Sequence, residues 1–184
     1  MAPVILVILA HPYPRRSRAC AALVEAVRNM GDLEVRSLYD LYPDFDVDRV
    51  AEQSALERAR LVVWLHPLFW YTVPALMKHW MDDVLVRGFA FGPEGAKLAG
   101  KDLLWVPTTG GDEAAFSASG RHGHVFSAFT PGIEQAARFC GMNWLEPFVL
   151  HGAHEIPDEE LRDAGLRLRA RLEAWQEEAG ARHA

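Results

Sequence analysis

Residues 4–17, with the sequence VILVILAHPYPRRS, join an uninterrupted apolar run to a proline-rich turn. A strand that is apolar on both faces, as residues 4–10 would be, belongs in the middle of a parallel sheet. Pro12 and Pro14 end that strand, and Ser17 is a suitable N-cap for a following helix. The stretch therefore predicts a strand, a loop and a helix, the unit from which parallel α/β folds are built.

The rest of the chain repeats this unit. Further segments with the composition of strands alternate with segments that have apolar residues at helical spacing. The predicted strands are 4–10, 33–37, 61–65, 103–106 and 144–150, and the predicted helices are 19–30, 48–58, 74–85, 131–140 and 158–175. Residues 40–48 are expected to form a loop, and Gly31 is expected to follow the end of the first helix. Five strands alternating with helices predict an α/β protein with a doubly wound, five-stranded parallel sheet.

Length and composition set the broad class. The chain has 184 residues, which predicts one domain (1–184), and 50% of them are hydrophobic, enough to build a core without disulfides. The net charge of −6 makes nucleic acid a poor candidate partner. The longest apolar run is too short to span a membrane, and two cysteines, Cys20 and Cys140, do not make a disulfide framework. We therefore expect a cytoplasmic protein.

The first loop at the carboxyl ends of the strands, residues 10–17, leads into the N-terminus of a helix. Free N–H groups and the helix dipole favour an anion there, and the Ser17 hydroxyl and nearby basic side chains, among them Arg18, add to this. The loop has neither GxxxxGK[ST] nor GxGxxG, so a single phosphate monoester fits better than a nucleoside triphosphate or the usual dinucleotide turn. Simple helix capping by Ser17, and solvent exposure of each arginine, are the alternatives.

Two further loops supply an aromatic wall and a glycine-rich edge. Residues 67–74, PLFWYTVP, place adjacent aromatic side chains after a buried strand, where they flank a planar ligand or pack on residues 87–101. Residues 108–111, TTGG, allow close approach of the backbone to a ligand. A phosphate site, an aromatic wall and an edge of backbone amides at one end of the sheet point to flavin mononucleotide (FMN).

Four stretches together resemble the NAD(P)H:quinone oxidoreductase family of DT-diaphorase-like flavoproteins. They are AHPxxxxS at 10–17, PLFWYTVPALMKHWMDDV at 67–84, TTGG at 108–111 and FCGMNWLEP at 139–147. The resemblance extends from Val4 to about Gln176 and rests on the motifs jointly. Within the family, RSLYDLYPDF at 36–45 and LAGKDLLW at 98–105 are most similar to the ancillary flavoproteins of a glutathione-regulated potassium-efflux system.

The resemblance implies a flavodoxin-like fold with strand order 2-1-3-4-5 and a homodimer with two active sites at its interface. It implies two-electron reduction of quinones by NAD(P)H, with ping-pong hydride transfer through the flavin. The chain lacks the C-terminal extension that helps larger members enclose the adenosine of FAD, which favours FMN and leaves FAD as the alternative. A second role stays open: a regulatory subunit that activates a membrane potassium-efflux protein at the inner face of the membrane, docking through residues 40–48 or 87–101.

The resemblance also implies roles for individual residues. Those expected to bind the cofactor are His11, Ser17, Arg18, Ala19, Cys20, Pro67, Leu68, Phe69, Trp70, Tyr71, Thr108, Thr109, Gly110, Gly111 and Phe116. The catalytic candidates are His122, Trp70 and Tyr71, with His122 stabilising negative charge on the reduced flavin or donating a proton. Phe91, Phe139 and His154 are expected to line the substrate cleft from the partner subunit.

One residue departs from the family pattern. Phe116 stands where the larger members have a tyrosine near the flavin, and a phenyl ring has no hydroxyl to relay a proton. The resemblance therefore leaves His122 or solvent to supply the proton. A metal site built from His122, His124, His151 and His154 is the weaker alternative, because the sequence has neither a Cys pair nor an HExxH motif. No metal is expected.

Overall fold

A single five-stranded sheet organises the computed structural model, which describes residues 5–181 apart from the side chain of Arg15. Its strands are β1 (Ile5–Leu9), β2 (Leu33–Ser37), β3 (Leu61–Pro67), β4 (Asp102–Thr108) and β5 (Asn143–Trp144). All neighbouring strands are parallel, and their order is β2-β1-β3-β4-β5, which confirms the expected flavodoxin-like sheet. Val4, at the start of the first predicted strand, lies outside the described residues.

Helices cover both faces of the sheet. They are α1 (Arg18–Val27), α2 (Leu38–Leu41), α3 (Arg49–Arg58), α4 (Ala75–Val84), α5 (Pro131–Phe139) and α6 (Asp158–Ala181), with single 3₁₀ turns at Pro14–Arg16 and Phe126–Phe129. Alternate residues of β1 point to opposite faces: Leu6 and Ile8 pack with α3, α4 and α5, whereas Ile5 and Val7 pack with α1 and α6. Among residues 5–181, no helix has both the length and the apolar character needed to cross a membrane.

Three local expectations were wrong in detail. The region 40–48 is not all loop, because the helical turn α2 reaches Leu41, anchored by a buried Leu38. Helix α1 ends at Val27 with Arg28 as its C-cap, so Gly31 lies in the connection to β2 rather than directly after the helix.

The last predicted strand, 144–150, has only two regular residues. Its chain still runs beside β4, since the N–H groups of Leu145, Phe148 and Leu150 donate to carbonyls of that strand. Pro147 has no N–H to donate, so the next residue takes its place and the regular spacing of two is broken. After this bulge, residues 151–157 follow as a loop at the carboxyl end of the sheet.

One carboxylate is buried in the layer between β2, α3 and α4. Glu52 is fully buried, and its oxygens accept hydrogen bonds from Arg36 Nε at 2.7 Å, Tyr42 Oη at 2.6 Å and Trp80 Nε1 at 2.9 Å. Burial and the hydrogen bond to Glu52 raise the pKa of Tyr42 to about 12, so it remains a donor. This network ties β2 to α3 and α4, and its side chains are not among those that line the cleft described next.

Candidate functional site

A cleft of about 750 Å³ opens at the carboxyl ends of β1, β3 and β4. Parallel strands bring their carboxyl ends to one edge of the sheet, which is why three loops that are distant in sequence meet there. The expected site residues that line it are His11, Ser17, Arg18, Ala19, Pro67, Leu68, Phe69, Trp70, Tyr71, Thr108, Thr109, Gly110, Gly111, Phe116, His122 and His154. A volume of this size is within the range of small-molecule and cofactor sites.

Three expected site residues do not line this cleft. Cys20 is buried beneath it, with its Sγ 3.7 Å from the hydroxyl of Thr108. Phe91 and Phe139 pack against each other, with ring centroids 4.9 Å apart, on another part of the surface. His154, expected from the partner subunit, lies in the cleft of its own chain.

Five lining residues had no site role assigned to them from the sequence. They are Tyr13, Arg16, Arg121, Ala153 and Glu155. Tyr13 and Arg16 lie within the predicted loop 10–17, and Arg121 directly precedes His122, so their loops were predicted although no role was assigned to these side chains. Ala153 and Glu155 follow the irregular end of β5, which the expected regular strand concealed.

The N-terminus of α1 forms one end of the cleft. Ser17 is its N-cap, and the Ser17 side-chain oxygen accepts a hydrogen bond from the backbone N–H of Cys20 at 3.1 Å. The Ser17 hydroxyl proton therefore remains available to a ligand. The N–H groups of Arg18 and Ala19, the first two residues of the helix, have no intrahelical acceptor. This end of the cleft offers the donors that a phosphate needs.

The Arg18 guanidinium points away from these amides. It donates to the backbone oxygen of Ile156 at 3.0 Å and pairs with Asp158 at 2.6 Å. The hydrogen bond and the positive charge of Arg18 hold the pKa of Asp158 below its usual value. Arg18 thus ties the start of α1 to the start of α6 and holds residues 151–157 against the cleft.

His11 faces the cleft as a neutral donor. Its Nδ1 accepts a hydrogen bond from the backbone N–H of Tyr13 at 3.0 Å, so in the neutral ring the proton is on Nε2. Partial burial lowers the pKa of His11, which favours that neutral form. The imidazole can therefore donate from Nε2 to an anion without carrying charge itself.

The aromatic wall is a tight hairpin with an unusual backbone. Phe69 and Thr72 exchange two backbone hydrogen bonds of 3.1 and 3.0 Å, and the two residues between them, Trp70 and Tyr71, have φ values of 49° and 62°. Two successive positive φ angles are typical of a type I′ turn, where asparagine and glycine are usual. Trp70 projects at the cleft mouth with 91% of its surface exposed, whereas Tyr71 turns toward residues 112–130.

A buried histidine supports the start of this wall. His66 is fully buried, and burial lowers its pKa to about 4. Its Nε2 accepts from Trp105 Nε1 at 2.8 Å, so its Nδ1 carries the proton and donates to the carbonyl of Pro67 at 2.9 Å. The next residue, Leu68, donates its N–H to Thr108 at 2.7 Å. The wall therefore begins from a rigid position between β3 and β4.

The glycine edge is shaped by two imidazoles. A Cβ on Gly110 would lie 2.9 Å from Cδ2 of His154, and a Cβ on Gly111 would lie 3.1 Å from Nε2 of His122. Neither position has room for a side chain without displacing a ring. The Thr109 hydroxyl donates to the Gly111 carbonyl at 2.7 Å and fixes the turn from within.

His122 lies between two aromatic rings. Its Nδ1 is 3.2 Å from the hydroxyl of Tyr71, and its ring stacks on Phe116 with centroids 4.2 Å apart. The loop that carries it folds on itself: the His122 N–H donates to Ala115, and a Cβ on Gly120 would lie 2.3 Å from the carbonyl oxygen of Ala114. Only glycine fits at position 120, so the loop conformation depends on it. Within the described part of the chain, no three His, Cys, Asp or Glu residues are placed to hold a metal ion.

Comparison with known proteins agrees with this architecture. A sequence-family model described as flavodoxin-like fold matches residues 4–172. The ancillary protein KefF of the glutathione-regulated potassium-efflux system from Citrobacter koseri is 47% identical over 173 residues, covering 94% of this chain and 97% of the relative. The protein of the same name from Salmonella typhimurium is 46% identical over the same shares of both chains.

Solved structures are also similar. General stress protein 14 from Treponema denticola, in complex with FMN, superposes with a TM-score of 0.88 and 32% identity, covering 94% of this chain and 99% of that one. An NADPH-quinone reductase from P. pentosaceus superposes with a TM-score of 0.82 and 28% identity, covering 92% of this chain and 96% of that one. A structure described as a thermophilic tryptophan halogenase superposes with a TM-score of 0.86 and 30% identity, covering 89% of this chain and 95% of that one. Since proteins with different described activities share this fold, the activity has to be argued from the site.

Proposed function

The chain belongs to the flavodoxin-like family, and from that premise we propose that it is an FMN-dependent NAD(P)H:quinone oxidoreductase. The observation that carries the proposal is the cleft, which combines a capped helix N-terminus, an aromatic hairpin and a glycine edge at the carboxyl ends of the sheet. The first suits a phosphate, the second the face of a planar ring, and the third the polar edge of that ring. An FMN-bound neighbour and NADPH-quinone reductases of the same fold support the assignment.

The residues present fit FMN. Ser17 and the first amides of α1 would hold the phosphate, with His11 donating from Nε2. The hairpin around Trp70 would flank the isoalloxazine ring, and the Gly110 edge, which has no room for a Cβ, would meet its polar side. When bound, the flavin supplies hydride transfer between NAD(P)H and a quinone. The protein's part is to orient the ring, exclude water and manage the proton.

Two further features belong to the proposal. We infer ping-pong turnover, in which NAD(P)H and then the quinone would meet the same face of a flavin bound in this one cleft. We also infer a homodimer whose partner brings Phe91 and Phe139 to the second side of the cleft, since within one chain they lie away from it. The enzyme would act in the cytoplasm.

The proposal is tested by purifying the protein and releasing its flavin by denaturation. We expect a yellow protein with about one FMN per chain, and NAD(P)H oxidation that depends on an added quinone. Release of FAD would correct the cofactor alone. A protein that does not bind added FMN, or that binds it without oxidising NAD(P)H in the presence of quinones, contradicts the proposal.

A second function is favoured by one observation: the relatives named as ancillary to a potassium-efflux system cover nearly the whole chain at 46–47% identity. As such a subunit, the protein would bind a membrane efflux protein and raise its transport rate. The test is potassium efflux from vesicles that contain the efflux protein, with and without this chain. A stimulation that persists after FMN is removed would separate regulation from catalysis, whereas no stimulation contradicts the regulatory role.

A further inference from the structure

The charged side chains that line the cleft are not all paired. The guanidinium of Arg18 is already bound to Asp158. Two other lining arginines, Arg16 and Arg121, are exposed, and their side chains have no hydrogen bond or ion pair with any described residue. Glu155, on the loop before α6, is the one carboxylate among the described residues that line the cleft. The cleft therefore presents two cations that no described carboxylate neutralises.

The two arginines belong to different parts of the cleft. Arg16 directly precedes Ser17, the N-cap of α1, so it lies where the FMN phosphate is proposed to bind. Arg121 is on the loop after β4 and directly precedes His122, whose Nε2 would lie 3.1 Å from a Cβ on Gly111. This is the glycine edge, where the flavin ring is proposed to lie. Because the ribityl chain separates the phosphate of FMN from its ring, Arg121 is left beside the ring.

A closed turn carries Arg121 at the cleft. The backbone N–H of Gly123 donates to the carbonyl of Gly120 at 3.0 Å, so Arg121 and His122 are the two central residues of this turn. The N–H of His122 also donates to Ala115 at 3.0 Å, which ties the turn to the rest of its loop. Since the backbone is already ordered, an anion that binds the guanidinium has only the side chain to immobilise.

A free guanidinium beside the flavin ring suits a phosphate of the second reactant. The guanidinium is planar and always charged, and it can bind two phosphate oxygens through parallel N–H donors. A quinone ring has no phosphate, and the phosphate of FMN is proposed to bind at α1. Of the reactants in the proposed function, NAD(P)H brings phosphates: a pyrophosphate in both forms, and a 2′-phosphate in NADPH.

We propose that Arg121 binds a phosphate of the NAD(P)H co-substrate and thereby sets the affinity for the dinucleotide. This inference rests on the proposed function and deepens it, because it names a residue that recognises the hydride donor by a part that does not react. The guanidinium stays protonated throughout and takes no part in the transfer of hydride. The pyrophosphate and the 2′-phosphate offer the same chemistry, and a comparison of NADH with NADPH distinguishes them.

The first test measures binding without turnover. The protein with FMN bound is titrated by calorimetry with NADP⁺ and with NAD⁺, which have no hydride to give. We expect Arg121→Gln to raise the Kd of NADP⁺ about tenfold, the loss of a hydrogen bond between charged groups. Arg121→Lys keeps the charge without the paired donors and should raise it less. An equal rise for NAD⁺ assigns Arg121 to the pyrophosphate, and a smaller rise or none assigns it to the 2′-phosphate. An unchanged Kd of NADP⁺ in Arg121→Gln overturns the proposal.

Two other arginines provide controls for the titration. Arg58 is exposed at the C-terminal end of α3, at the opposite edge of the sheet from the cleft, and Arg58→Gln should leave both Kd values unchanged. Arg16→Gln should weaken the binding of FMN, whereas Arg121→Gln should bind FMN as the wild type does. If Arg121→Gln binds FMN as weakly as Arg16→Gln, Arg121 serves the cofactor and the proposal is overturned.

The second test compares hydride donors in quinone turnover. Dihydronicotinamide riboside has the nicotinamide and its ribose but no phosphate. We expect Arg121→Gln to raise the KM for NADPH about tenfold with little change in kcat, and to use the riboside as the wild type does. An equal loss with both donors would mean that Arg121 acts on the flavin or the quinone, and it overturns the proposal while the proposed function stands. A wild-type protein that reduces no quinone with any of these donors overturns the proposed function and this inference with it.

Discussion

At the scale of single residues, His66 makes stability depend on pH. Burial lowers its pKa to about 4, whereas the unfolded chain has an ordinary value of about 6.5. Between these two pH values the unfolded chain binds a proton at His66 that the folded chain does not. The free energy of unfolding therefore falls as the pH falls from about 6.5 to 4, and above pH 6.5 this group has no effect on it. The loss amounts to about 3 kcal/mol.

The measurement is urea unfolding of wild type and His66→Gln across pH 4–8. Glutamine can accept from Trp105 and donate to Pro67 as His66 does, but it does not titrate. We expect the variant to lose most of the decline between pH 6.5 and 4, with a remainder from His11 and His151, whose pKa values burial also lowers. Equal declines in both proteins would contradict the assignment to His66.

At the scale of secondary-structure elements, Glu52 on α3 connects β2 to α4. Its carboxylate accepts from Arg36, Tyr42 and Trp80 without contact to solvent. Glu52→Gln leaves these donors facing an amide, and loss of one partner from a buried ion pair costs about 3–5 kcal/mol. We expect a decrease of about 3 kcal/mol in the free energy of unfolding, measured by chemical denaturation.

A matched substitution on the same helix isolates the effect of burial. Glu57 pairs with Lys97 at 3.4 Å on the surface, with about half of its side chain exposed. Glu57→Gln should change the free energy of unfolding by less than about 0.5 kcal/mol. If the two substitutions had similar effects, the buried network would not be what holds these elements together.

Helix α6 packs on α1 at a glycine, and this contact predicts opposite effects for two identical substitutions. A Cβ on Gly165 would lie 2.9 Å from the Cβ of Ala26, whereas a Cβ on Gly180 would meet nothing within 4 Å. Gly165→Ala should therefore force the helices apart at a cost of about 1–3 kcal/mol. Gly180→Ala should gain about 0.5 kcal/mol from helix propensity. Thermal unfolding of both variants decides this, and a stabilised Gly165→Ala would show that the helices can separate freely.

At the scale of the whole molecule, the sequence determined the sheet and the location of the cleft, because hydrophobic runs and loop composition are local signals. It did not reveal the left-handed backbone at Trp70, since bulky residues disfavour that conformation. Nor did it reveal the pairing of His66 with Trp105 or of Tyr71 with His122, because each joins residues far apart in the chain. Pro147 could have indicated the irregular end of β5, since a missing N–H is readable from sequence.

Because the cleft is assembled from three separate loops, a bound cofactor should stabilise all of them together. Amide hydrogen exchange with and without FMN measures this: we expect slower exchange in residues 10–17, 67–72 and 108–124, where the ligand contacts and immobilises loops of the same cleft. Exchange around Tyr42, which does not line the cleft, should change little, since the Glu52 network already holds that region. If only residues 10–17 became protected, the protein would hold FMN by its phosphate alone. The aromatic hairpin and the glycine edge would then not bind the flavin ring.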